Sequence, residues 1–111
     1  MSDSAVDKAT FAFLGSCVGD FAQWPQCSIV ALRGRNEGGC LSEVLFKATA
    51  MNPDYRTVFW IVVTKDGTWR VRLIQLSNHV LLDEPVTDRD TLVDAVNLFT
   101  ELAGMRGSAE S

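Results

Sequence analysis

One histidine, one tyrosine, three prolines and three cysteines are all that this 111-residue chain holds of the residues on which small sites and scaffolds are often built. Any histidine-based acid–base chemistry must use His79. Cys17, Cys27 and Cys40 are odd in number and widely spaced, with no Cys-x-x-Cys pair, so neither a zinc site nor a disulfide framework is expected. No apolar run is long enough to cross a membrane as a helix. The opening MSDSAVDK has no basic region followed by an apolar stretch, so no secretory signal is expected and reduced thiols in a cytoplasmic protein are. The net charge of −4 has the wrong sign for nonspecific attachment to nucleic acid or to an anionic membrane. No internal repeat or low-complexity block interrupts the chain.

What is present describes one globular domain over residues 1–111. The hydrophobic share is 47% and the charged share 22%, which excludes disorder. A domain of this size buries about two-thirds of the surface its unfolded chain exposes, enough for one core without a staple. Charge is unevenly spread. Residues 33–72 carry seven basic against four acidic side chains, and residues 73–111 carry seven acidic against two basic. Such a bipolar surface can cancel internally, or it can guide a partner.

The first expected element is a helix capped by Ser4, with Val6, Ala9, Thr10, Phe13 and Leu14 near helical spacing. It ends at Gly15 or runs on toward Trp24, at a cost of about 1 kcal/mol per glycine relative to alanine. SIVALR, residues 28–33, reads as a strand, and the glycines of RGRNEGG as a mobile hairpin tip. Residues 40–51 fit a strand or a helix; a strand with Val44, Phe46, Ala48 and Ala50 on one face is favoured. Asn52-Pro53-Asp54 is a turn.

WIVVTKDGTWRVRL, residues 60–73, reads as a hairpin turning on Asp66-Gly67. A two-residue turn sets Lys65 opposite Thr68 and Val63 opposite Arg70. Alternation then places Val58, Trp60, Val62, Val71 and Leu73 on a core face, with Trp69 near the turn. The other face collects Phe59, Ile61, Val63, Arg70, Arg72, Ile74 and Leu76. A slip of one residue would set Arg70 beside Trp60 and remove the basis of that assignment. A further strand follows the Ser77-Asn78 turn, with Leu76 facing His79, Ile74 facing Leu81, Arg72 facing Asp83 and Leu82 joining Leu73. Thr87 or Asp88 caps a last helix whose Leu92, Ala95, Val96, Phe99, Leu102 and Ala103 form one stripe, with Gly104 as its stop and residues 105–111 a frayed tail.

The expected fold class is therefore α+β: an antiparallel sheet of about four to five strands, with an N-terminal helix and an amphipathic C-terminal helix packed on it. An acidic chain of this kind broadly resembles the small dimeric chaperones of bacterial secretion systems, and equally many small binding folds. The likeness is one of architecture, with no motif to carry functional residues across.

Chemistry is thinly signalled. His79 sits beside a turn, RGRNEGG lacks the Gly-Lys-Ser/Thr of a phosphate loop, and Asp83, Glu84, Asp88 and Asp90 lack calcium-loop spacing. No catalytic residue, metal or cofactor is expected. The expected function is a non-enzymatic interaction protein, a homodimer contacting through Phe59, Ile61, Arg70, Arg72, Ile74, Leu81 and Asp83. The alternative is a ligand pocket, or an enzyme site using His79 and a cysteine, between sheet and helices and lined by Trp24, Trp60, Trp69 and His79.

Overall fold

The computed structural model describes residues 2–24, 27–37, 40–52, 54 and 56–104. Helix α1 (Ser2–Ala22) leads into five strands, β1 (Cys27–Glu37), β2 (Cys40–Asn52), β3 (Thr57–Asp66), β4 (Thr68–Gln75) and β5 (His79–Pro85), and helix α2 (Arg89–Leu102) closes the chain. The strands lie in the sheet in chain order and every neighbouring pair is antiparallel, as short connections require. The fold is the α+β arrangement expected, with five strands.

α1 runs through both Gly15 and Gly19, and Ser4 lies inside it rather than at its cap. Leu14, Cys17 and Phe21 are buried on its sheet side, and that burial outweighs the glycine cost. β1 is longer than SIVALR and takes in residues 34–37 of the expected tip; Gly38 and Gly39 lie outside the described residues, as does the 105–111 tail. Gly34 stays in the strand because α1 leans on it. A Cβ built there would stand 2.5 Å from Cε1 of Phe11, so any larger residue requires the Phe11 ring to shift. β2 resolves as a strand, with Val44, Phe46, Ala48 and Ala50 buried.

The β3–β4 hairpin differs from expectation by one residue. Asp66 pairs with Thr68 and Lys65 with Trp69, so the turn centres on Gly67 alone, at φ +87°. A type I′ turn needs positive φ at both central residues, and only Gly67 has it here. One residue of slip turns β3 over relative to β4. β4 keeps the faces expected of it, with Trp69, Val71 and Leu73 buried and Arg70 and Arg72 exposed. β3 does not: Phe59, Ile61 and Val63 are buried, while Val58, Trp60 and Val62 lie on the other side with the arginines. At the next turn Ser77 and Asn78 both adopt positive φ. Gln75 pairs with His79 and Ile74 with Val80, not with Leu81. A bulge leaves Leu81 as the extra residue, after which Leu82 meets Leu73 and Asp83 meets Arg72 as expected.

Asp88 caps α2 from extended backbone, its carboxylate accepting from the Thr91 N–H at 2.9 Å. Leu92, Ala95, Val96 and Phe99 are the buried stripe, and Gly104 at φ +72° follows the C-cap. α1 lies over β1 and β2, and α2 over β3 and β4. Phe21 joins the two, with ring centroids 5.5 Å from Phe99 and 6.1 Å from Phe46. Both helices therefore lie on the Phe59–Ile61–Val63 side of the sheet, not on the Trp60 side. The shortest dimension of the molecule, 21 Å, has room for one sheet and one helix layer about 10–12 Å thick. Among the described residues nothing covers the second face of the sheet, hereafter the bare face.

Candidate functional site

Strand register decides what that bare face displays. Cross-strand partners on it form rows across the sheet. At one end Met51 pairs with Val58, and Leu76, just past β4, donates its N–H to the Val58 carbonyl at 2.9 Å. The next row is Thr49, Trp60, Ile74 and Val80. Then come Ala31, Lys47, Val62, Arg72 and Asp83, followed by Arg33, Leu45, Thr64 and Arg70. Arg35 and Glu43 pair at the far end. The face is thus graded along the strands, apolar at the Met51 end and cationic at the other.

The apolar end is open. Met51, Leu76 and Val80 are each 51% exposed, and Val58, Trp60, Val62 and Ile74 are half-buried by their neighbours. Thr49 is buried among them, its hydroxyl without a hydrogen-bond partner among the described residues. A shallow recess of about 240 Å³ lies between Lys47, Trp60, Val62, Ile74 and Asn78.

The cationic end is not internally balanced. Asp83 is engaged by Arg70 Nε at 2.6 Å and stands 3.9 Å from Arg72 Nε. The expected Arg72–Asp83 pair is therefore present in register, but Arg70 holds the carboxylate. Among the described residues Lys47 and Arg33 have no acidic partner.

The expected contact set is only partly brought together. Arg70, Arg72, Ile74 and Asp83 share the bare face, and Leu81 is an exposed bulge residue on edge strand β5. Phe59 and Ile61 do not belong, because the one-residue slip buries them beneath the helices at 5% and 0% exposure. The expected composition of the contact surface is wrong at those two positions, and its basis in the two-residue turn is removed. What the face has instead is Val58, Trp60 and Val62.

The alternative pocket is not assembled. Trp60 lies on the bare face, whereas Trp69 is buried on the helix side, its indole N–H donating to Asp7 Oδ1 at 3.0 Å. Trp24 follows the other end of α1, with about 20 Å of helix between it and Asp7. His79 is exposed beside the Ser77–Asn78 turn. Burial pushes the Cys17 thiol up to about 11, with the nearby Asp20 charge adding to it. Burial also raises Cys27, against an opposing backbone hydrogen bond from Thr49. Both are protonated near neutrality and are poor nucleophiles. No group of three His, Cys, Asp or Glu side chains among the described residues is arranged to hold a metal. No helix among them is long and apolar enough to cross a membrane.

Three residues matter more than their sequence context suggested. Asp7 is buried, bonded to Trp69 and 3.5 Å from Lys65 Nζ, and so pins α1 to the β3–β4 turn. Asn52 is 5% exposed and donates from Nδ2 to the Leu102 carbonyl at 2.6 Å, while its Oδ1 accepts from the Asp54 N–H at 2.8 Å. It looked like a plain turn residue. Lys47 could be recognised only once β2 was known to be a strand facing outward at that position.

Comparison with family models, with curated proteins and with solved structures returns no match.

Proposed function

We propose that this protein is a non-enzymatic interaction module and that the bare sheet face is its contact surface. The observation that carries this reading is the placement of both helices on one side, which leaves Met51, Val58, Trp60, Ile74, Leu76 and Val80 together on a sheet face that no described element covers. An apolar field of this kind, rimmed by arginine and lysine, is the composition that contact surfaces favour. Trp60 and Arg72 are the side-chain types that most often dominate binding energy.

A homodimer through this face is the second form of the reading. Self-association is favoured by the Met51–Val58 and Trp60–Ile74 rows, which can pack on their own copies across a two-fold axis.

Selection of binders from a random peptide library, together with light scattering of the chain alone, tests the proposal. Selected peptides, or the dimer, should be lost in Trp60→Asp and Val62→Asp and be unaffected by Asp94→Lys on the outer side of α2. Peptides or dimers insensitive to Trp60→Asp, or a monomer that selects nothing, would contradict it. The assignment of a cytoplasmic location belongs to the same proposal and rests on the free, protonated thiols.

A further inference from the structure

Resting on the contact role of the bare face, we propose that its occupant is a segment of another protein that is acidic as well as apolar. The segment seats apolar side chains on Val58, Trp60 and Ile74 and directs carboxylates at Lys47, Arg72 and Arg33.

The chain as a whole is acidic, at −4, yet this face is not. It gathers Arg33, Arg35, Lys47, Arg70 and Arg72 against Glu43, Asp66 and Asp83. Asp83 is already held at 2.6 Å by Arg70, Glu43 is set against Arg35, and Asp66 lies at the β3–β4 turn. The uncommitted positive charge is therefore Lys47 and Arg33, with Arg72 only loosely served at 3.9 Å. Excess charge of one sign beside an apolar field selects a partner of the other sign, because a like-charged group brought there is repelled while being desolvated.

Geometry sets the spacing. Rows on one face of a strand repeat every two residues, about 7 Å. The Trp60 row and the Lys47–Arg72 row are adjacent, and the Arg33–Arg70 row is the next. The matching segment has its carboxylates about 7–14 Å beyond its apolar anchors.

The other occupants fit less well. A two-fold axis along β3 sets Trp60 on Trp60 of a second copy, but it also sets Lys47 against Arg72, cation on cation. A two-fold axis across the strands, between the Met51 and Trp60 rows, sets those rows on each other but leaves Lys47, Arg33 and Arg72 outside the contact with no acidic group to meet. A single-stranded nucleic acid needs a series of stacking rings, and the described part of this face presents one, Trp60. Its phosphates would also meet the negative remainder of the chain.

The test is calorimetric titration of the full chain with three synthetic peptides of equal length and leucine content. Leucine pairs alternate with pairs of glutamate, serine or lysine. The glutamate peptide should bind at least about tenfold tighter than the serine peptide, about 1.4 kcal/mol. It should weaken with salt, and the lysine peptide should not bind. In the Lys47→Glu/Arg72→Glu double variant the preference should reverse. Equal affinities, a preference that survives the double variant, no binding of the glutamate peptide, or its displacement by an oligothymidylate would overturn the proposal. A binding that is indifferent to peptide charge but lost in Trp60→Asp would overturn only the acidic occupant. Binding that survives Trp60→Asp would overturn the contact surface as well.

Discussion

Gly34, Asn52 and Asp88 hold the fold at single points, and each does so through a contact that can be removed. Gly34 permits α1 to rest Phe11 on β1, with a Cβ excluded at 2.5 Å. Gly34→Ala should lower stability by about 1–3 kcal/mol in urea unfolding, the usual cost of overpacking. Asn52 ties the β2–β3 connection to the end of α2 through the Leu102 carbonyl. Asn52→Ala should cost about 1–3 kcal/mol, since buried polar groups lose their partners, and amide exchange should rise in the last turn of α2. Asp88 is held below its ordinary 3.8, first by the Thr91 N–H and then by the Thr91 hydroxyl. A depressed carboxyl stabilises the folded state fully above the unfolded value, and the contribution is lost as pH falls through the folded one. Acid unfolding of Asp88→Asn should therefore lack the component that the native chain shows below about pH 4. Asp88 was legible as a cap, because Asp before a periodic apolar stripe is a local signal. Asn52 and Gly34 were not, because each answers to a residue far away in sequence.

At the scale of elements, what was legible followed periodicity. α2 and the faces of β4 were readable from apolar spacing, whereas residues 40–51 fitted a strand or a helix and only the structure makes β2 a strand. The faces of β3 were not, and the reason is physical: Val58-Phe59-Trp60-Ile61-Val62-Val63 is apolar at every position, so alternation cannot say which side is inside. Only the turn fixes that choice, and Asp66-Gly67 closes as a turn about Gly67 alone. The structure therefore makes a sharp distinction between two neighbours. Ile61→Asp places a charge in the core and should cost more than about 4 kcal/mol or abolish folding. Trp60→Asp should cost only about 1–2 kcal/mol, the scale of strand propensity and partial packing. Thermal unfolding followed by near-ultraviolet dichroism checks both, and the reverse order would mean that the sheet faces are inverted.

Across the whole molecule, the two sides of the sheet are unlike in charge and in cover. The helix side carries Asp90, Asp94 and Glu101, exposed on α2, and the bare side carries Arg33, Arg35, Lys47, Arg70 and Arg72 with Glu43, Asp66 and Asp83 among them. Part of the imbalance between residues 33–72 and 73–111 visible in the sequence is in this way a separation between two sides of one sheet. Its meaning could not be read earlier, because the sidedness of Lys47, Arg70 and Arg72 relative to Trp60 depended on register. The bare face is the central claim, and a footprint tests it most directly. Amide and indole chemical shifts of the labelled chain would be followed while the leucine–glutamate peptide is added. The account predicts shifts concentrated at Lys47, Met51, the Trp60 indole, Val62, Arg72 and Ile74. Shifts concentrated on α1 and α2, with the Trp60 indole unmoved, would contradict it.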